Sequence, residues 1–242
     1  MSKLLLRTLL LILPLAPAAA QDDGLFSATQ PQIVPLWHRM ADFSPKLRSV
    51  EACELSPDGR LAVSGGKFGY GVFLFRVADG HLLWENYHES EVECVVFSPD
   101  GRRIATGGED FYMRIWDVAT GAELYAHEFT DAGLDGITWS PDGRYIVAGD
   151  EAGNAIFFDA GTYQESYRIN CGSTINSLEF TADSKLLVVG GNVQRPDPEG
   201  PGGNRYTGFA HVIDVAKKAI AVSIPEQPGS IKSVRWSADE KM

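Results

Sequence analysis

The chain has 242 residues, with 21 lysines and arginines against 32 aspartates and glutamates, a formal charge of −11. An acidic chain without a basic run is a poor nucleic-acid ligand, because phosphate contacts must come from Lys and Arg; the balance suits solubility and cationic partners. A hydrophobic share of 44% is that of a globular chain, and three cysteines are too few for a disulfide scaffold.

The first twenty residues read as a secretory signal peptide. Lys3 and Arg7 give a positive start, Leu9 to Leu13 an apolar run, and Ala18-Ala19-Ala20 a cleavage site before Gln21. A membrane anchor needs about twenty unbroken apolar residues, and Arg7, Pro14 and Pro17 interrupt this run. The expectation is cleavage near Ala20 and an exported, soluble product, periplasmic or secreted if bacterial, with no membrane span. Residues 21–45 follow as an N-terminal segment, of which 32–43 could supply a closing outer strand.

From residue 46 onward one phrase keeps returning. Ser56-Pro57-Asp58-Gly59, Ser98-Pro99-Asp100-Gly101 and Ser140-Pro141-Asp142-Gly143 are spaced 42 and 42 residues apart; Thr181-Ala182-Asp183-Ser184 follows after 41 and Ser237-Ala238-Asp239-Glu240 after 56. A fixed period means one supersecondary unit stacked on copies of itself. The units divide at about 46–87, 88–129, 130–170 and 171–226, and 227–242 begins a fifth. The array is therefore expected to be incomplete, truncated within its fifth repeat.

The second unit shows the internal plan. Val92 to Phe97 is a strand ended by Ser98-Pro99-Asp100-Gly101, whose Ser at i, Pro at i+1 and Gly at i+3 suit a type I turn. Ile104 to Gly107, Met113 to Val118 and Glu123 to Phe129 complete four short antiparallel strands, joined at Glu109-Asp110 and at Ala119-Thr120-Gly121. Val95 and Phe97 load one face of this sheet and Cys94 and Val96 the other, so both faces must be covered. Radial stacking of like sheets does that, which predicts an all-β propeller of four-stranded antiparallel blades.

The run His88, Val92, Val95, Phe97, Ser98 to Gly101, Thr106-Gly107, Asp110 and Trp116-Asp117 resembles a WD repeat. The resemblance implies a hydrogen-bonded set of His88, Thr106, Asp110 and Trp116 whose meaning is structural, although Tyr87 replaces the usual Gly before the His. Elsewhere the pattern departs. The Trp position holds Phe75, Phe158 and Ile213, and the His position Lys46, Thr130 and Cys171.

Signals for chemistry are thin. The five histidines (His38, His81, His88, His127, His211) are scattered, and neither H-E-x-x-H nor G-x-S-x-G occurs. No catalytic, metal or cofactor residue is assigned. Asp150-Glu151 with Asn154 resembles half an acidic metal loop but reads as a solvated turn. Val77 to Trp84 is similar to the tryptophan-docking repeat of quinone-dependent propellers, but reads as a Gly turn before an amphipathic outer strand. Cys53 and Cys94 lie one register apart on equivalent strands. Face-packed sheets sit about 10 Å apart and a disulfide needs Cα atoms at roughly 4.4–6.8 Å, so two buried thiols are expected.

The connections between second and third strands are the better candidates. Phe68 and Tyr70 in the first unit, and Phe111 and Tyr112 in the second, put large aromatics on neighbouring loop tips, the type of residue that anchors interfaces. In the fourth unit the same connection gains about fifteen residues, and Gln194 to Arg205 is polar, rich in Pro and Gly and without an apolar anchor. It reads as a mobile loop carrying Arg195 and Arg205 as further candidate contacts. The expected function is a non-catalytic scaffold for a protein or peptide, with self-association open to it if the ring is open. The alternatives are an enzymatic propeller, quinone-dependent dehydrogenase or metal-dependent hydrolase, whose site lies in missing blades, or a truncated product without independent function.

Overall fold

The computed structural model describes residues 49–130, 132–197 and 204–237; the expected leader, the closing strand at 32–43 and Asp239-Glu240 lie outside the described residues. Four sheets are formed there, each a simple antiparallel meander in chain order. The first holds β1 (Ala52–Leu55), β2 (Leu61–Gly65), β3 (Gly71–Arg76) and β4 (His81–Tyr87). The second holds β5 (Val92–Phe97), β6 (Arg103–Gly108), β7 (Tyr112–Asp117) and β8 (Glu123–Glu128). The third runs through β9 (Leu134–Trp139), β10 (Tyr145–Asp150), β11 (Asn154–Asp159) and β12 (Glu165–Asn170), and the fourth through β13 (Ile175–Phe180), β14 (Leu186–Pro196), β15 (Asn204–Asp214) and β16 (Ala219–Pro228). Among the described residues there is no helix, hence none long and apolar enough to cross a membrane.

The repeated phrase works as a hydrogen-bonded clasp. Ser98 Oγ donates to Asp100 Oδ1 at 2.5 Å and accepts the Arg103 N–H at 2.9 Å, while Asp100 Oδ1 accepts the Arg102 N–H at 3.0 Å. The same bonds recur around Ser56 and Asp58 and around Ser140 and Asp142. In the fourth sheet Thr181 and Asp183 keep them although proline and glycine are gone. There Ser184 takes the glycine's left-handed backbone at φ +60°.

Both faces of the second sheet are covered, each by a neighbour. Cys94 and Val96 pack with Leu134, Ala148 and Ile156 of the third sheet, and Val95 and Phe97 with Val63, Val72 and Leu74 of the first. The first strands pack in series, β1 on β5, β5 on β9 and β9 on β13. One glycine per sheet makes room for this. A Cβ on Gly65, Gly107 or Gly149 would come within 2.7, 2.8 or 2.4 Å of Val92, Leu134 or Ile175, the residue that opens the next first strand.

A second seam joins the outer strands. Trp84 on β4 donates from its indole to the Val118 carbonyl at 2.9 Å, against the turn that ends at Gly121. Tyr125 on β8 meets Tyr163 with ring centroids 5.2 Å apart, and Tyr167 on β12 lies 4.6 Å beneath Lys218 Nζ. Gly121, Tyr163 and Lys218 close equivalent turns, all at positive φ. The stretch read as similar to a tryptophan-docking repeat is thus one instance of a general contact between sheets. At the corresponding place on β16, Val222 is 37% exposed.

Residues 231–237 extend along the fourth sheet as a first strand would. The Trp236 N–H donates to Glu179 as the Phe97 N–H does to Glu54, and Asn176 Nδ2 donates to the Ile231 carbonyl at 2.7 Å. Three expectations are corrected. Cys53 is exposed: it pairs with Ser64 as Val95 does with Thr106, on the face that in the second sheet is covered by the preceding one, whereas Cys94 is buried; the described cysteines are all free thiols. The place of His88 is taken in the third unit by Phe129 rather than Thr130: its N–H bonds the Phe111 carbonyl as that of His88 bonds Tyr70, and the following connection is one residue longer. Finally, Gln194, Arg195, Asn204 and Arg205 belong to paired strands, with the β14–β15 ladder reaching Pro196 opposite Asn204.

Ser98 is fully buried, so Ser98→Ala removes a donor and leaves the Arg103 N–H without its acceptor. The expected loss is about 1–3 kcal/mol of unfolding free energy, read as a lower urea midpoint with an unchanged slope. Ser98→Thr, which copies the fourth sheet's Thr181, is expected to stay within about 1 kcal/mol of the parent; equal midpoints for all three proteins would show that the clasp contributes nothing.

Candidate partner-binding rim

The first three sheets bring the connection between second and third strands to one rim, tied to the residue that follows the fourth strand. The carbonyls of Tyr70, Phe111 and Gly153 accept the N–H groups of His88, Phe129 and Cys171 at 2.7–2.8 Å, and on the longer hairpin of the fourth sheet the Tyr206 carbonyl accepts the Gly229 N–H at 3.0 Å. Tyr70, Phe111 and Gly153 hold one equivalent position, two residues before Val72, Met113 and Ala155; in the fourth sheet that position is Gly208, and Tyr206 lies two residues farther out on β15. Tyr70, Phe111 and Tyr206 are 41%, 42% and 44% exposed, and Phe68 beside Tyr70 is 55% exposed. Tyr70 (φ +56°) and Phe111 (φ +64°) adopt the left-handed backbone that Gly153 takes at +87°. Holding a bulky residue there costs about 1–3 kcal/mol and occurs chiefly where side-chain placement matters.

Under the Phe111 tip lies the polar set. His88 Nδ1 is 2.9 Å from Asp110 Oδ2, His88 Nε2 is 2.7 Å from Thr106 Oγ1, and the Trp116 indole donates to Thr106 Oγ1 at 2.8 Å. Burial alone would raise the Asp110 carboxyl, but bonds from His88 and from the Tyr112 and Glu89 N–H groups hold it down at about 2. Asp110 thereby ties the tip it precedes to the connection between β4 and β5.

The other candidate residues fall in different settings. Tyr112 opens β7 half-buried, with the Arg114 guanidinium 4.7 Å over its ring. Arg195 and Arg205 face each other across β14 and β15, and Glu226 on β16 accepts Arg195 at 2.7 Å. His127 is packed edge-on against Phe129 and Phe158, and burial lowers its pKa. Asp150 spends both carboxylate oxygens on Asn154.

Sequence reading missed Tyr206 and an inner ring of charge. One residue per connection, Lys67, Glu109, Glu151 and Asn192, lies inside the aromatic position, next to Glu93 and Asp135 near the start of β5 and β9. The carboxylates of Glu109, Asp135 and Glu151 offer oxygens all within 4.8 Å of one another, a spacing that suits a cation. Burial first, then Glu151, raises both Glu109 and Asp135; burial, then Glu91 and Glu51, pushes Glu93 up to about 7. Lys67 pairs with Glu91 at 2.6 Å and lowers it.

A carboxyl raised in the folded state binds protons that the unfolded chain releases, so its contribution is present below the unfolded value and is lost as pH rises through the folded one. For Glu93 that window lies between about 4.5 and about 7. Glu93→Gln is expected to flatten the fall in melting temperature across this window; a slope identical to the parent's would remove Glu93 from the account.

The family model for the WD domain, G-beta repeat, matches residues 80–117 and 120–159. Each match joins the outer strand of one sheet to the first three strands of the next, β4 to β7 and β8 to β11. A comparison with curated proteins returns no match. The matched stretches are WD repeats, and the four four-stranded antiparallel sheets that contain and extend them fit the blades of a WD-repeat β-propeller that is not closed by the described residues.

Proposed function

We propose that this chain is a non-catalytic binding platform that receives a protein or peptide on the rim carrying Phe68, Tyr70, Phe111 and Tyr206. WD repeats generally mediate protein–protein association, which supports the class of function. One observation carries the choice of surface: at the equivalent tips of the first two blades Tyr70 and Phe111 are exposed aromatics, both at a backbone conformation that disfavours such residues. Packing does not ask for this, since the third blade fills the same position with Gly153. Aromatic side chains offer large contact area at low conformational cost, which is why they dominate interface energetics.

The Tyr70→Ala, Phe111→Ala double variant is expected to lose at least about tenfold in affinity for a partner co-purified from native extract, with its melting temperature kept or raised. A partner retained at full affinity by the double variant would move binding off this rim.

The reading includes export, which rests on the order of charge, apolar run and small residues in 1–20. Protein recovered from producing cells is expected to begin at or near Gln21; a start at Met1 or Ser2 would place its work inside the cell.

A further inference from the structure

The rim reading leaves the chemistry of the partner open, and the arrangement of side chains around Gly153 narrows it. Tyr70 and Phe111 stand at the equivalent positions of the first and second blades, while Gly153 offers no side chain at the third, and in the fourth, where the position is Gly208, Tyr206 lies two residues farther out on the hairpin. The glycine is needed at 153: at φ +87° a Cβ would come within 2.5 Å of the Ser173 backbone. The row of aromatic tips therefore stops at the third blade, and a bound segment can pass inward there.

Inside that gap the surface is anionic. Glu151 lies two residues before Gly153 and Glu109 two residues before Phe111, and with Asp135 they bring three carboxylates together. Of the neighbouring cations, Lys67 pairs with Glu91 at 2.6 Å and Arg114 with Glu123 at 2.8 Å and Asp110 at 3.4 Å, and Lys232 acts on Asp135 without an ion pair at contact distance among the described residues. Three carboxylates against that one cation leave the face net negative beside exposed aromatic area, and complementary potential is what selects a partner's sign.

Resting on the rim reading, we infer that the occupant is an extended cationic peptide segment, whose apolar side chains lie against Phe111 and Tyr70 and whose Lys or Arg enters over Gly153 toward Glu109, Asp135 and Glu151. The whole chain carries −11, so an anionic segment would meet repulsion both at the rim and at long range. A guanidinium or ammonium group matches carboxylates by direct charge-assisted bonds, and aromatic faces accept the same cations.

The test is a random twelve-residue peptide library displayed on phage, selected against the folded full chain in low and moderate salt. Selected peptides are expected to be enriched in Lys and Arg, and to bind at least about tenfold more weakly to Glu109→Gln, Glu151→Gln and to Phe111→Ala. Their affinity is expected to fall as salt rises. The Gln substitutions relieve repulsion, so they are expected to fold, and circular dichroism checks that they do. Neutral or acidic peptides that need Phe111 but ignore the Gln substitutions would overturn the cationic partner and leave the rim standing. Peptides indifferent to Phe111 and Tyr70, or a library that yields no binder at all, would overturn both readings.

Discussion

A single hydroxyl at the start of each inner turn holds the rest of the structure in register. In Ser56, Ser98, Ser140 and Thr181 it accepts the N–H that opens the second strand and donates to a carboxylate two residues on. The carboxylate in turn accepts the preceding N–H. First and second strands are joined with no residue to spare, so every sheet begins at the same phase. The fourth copy shows which atoms matter. Proline and glycine are dispensable there, because Ser184 tolerates the left-handed conformation, while hydroxyl and carboxylate are both retained.

Two seams turn that phase into a fixed relation between sheets. Near the axis, the residue opening each first strand sits where the previous sheet has glycine. At the circumference, an aromatic from the fourth strand of each of the first three sheets lies on the next sheet's last turn. A sheet pinned at both ends cannot pivot on its neighbour, since close-packed interiors resist graded deformation. The connections between second and third strands then meet one rim at regular intervals, and a set of loop tips becomes a surface. The axis adds a polar theme of its own. Glu54 and Glu179 each accept an N–H from the following first strand, and burial pushes Glu54 up to about 7 against the pull of that bond and of Arg235.

The blade plan was legible in the sequence because its determinants are local: a turn phrase at a 42-residue period and alternating apolar faces. What escaped was set between distant segments. Tyr206 comes to the rim only because the β14–β15 hairpin runs past the place of Phe111, which Gly208 holds in that blade, and no local frame marks it. The carboxylate trio comes from two blades, Glu109 from one and Asp135 and Glu151 from the next, and no spacing rule joins them. Counting back from the strand start gave Thr130, while the backbone gives Phe129, because the connection has an extra residue that only the hydrogen bond to Phe111 reveals. Cys53 looked like a core residue by its type and strand, and it lies exposed on the face that in the second blade is covered by the preceding sheet.

The polar set of the second blade is the one place where structure and proposed function share residues. Thr106 is replaced by Ala148 and Val189 in the third and fourth blades, where apolar packing serves, and by Ser64 in the first, where the buried hydroxyl finds no partner. A partly kept network is costlier than none, because each orphaned buried group loses its hydration without compensation. Complete retention in one blade therefore calls for a return that packing alone does not provide. That return is local. Asp110, fixed by His88, accepts the N–H of Tyr112 next to Phe111 and that of Glu89 in the connection before β5, so the ring is presented from a clamped backbone rather than a free loop. Pre-organised tips lose less freedom on binding. On this account the His88, Asp110, Thr106 and Trp116 bonds stabilise one blade and, through it, aim one anchor.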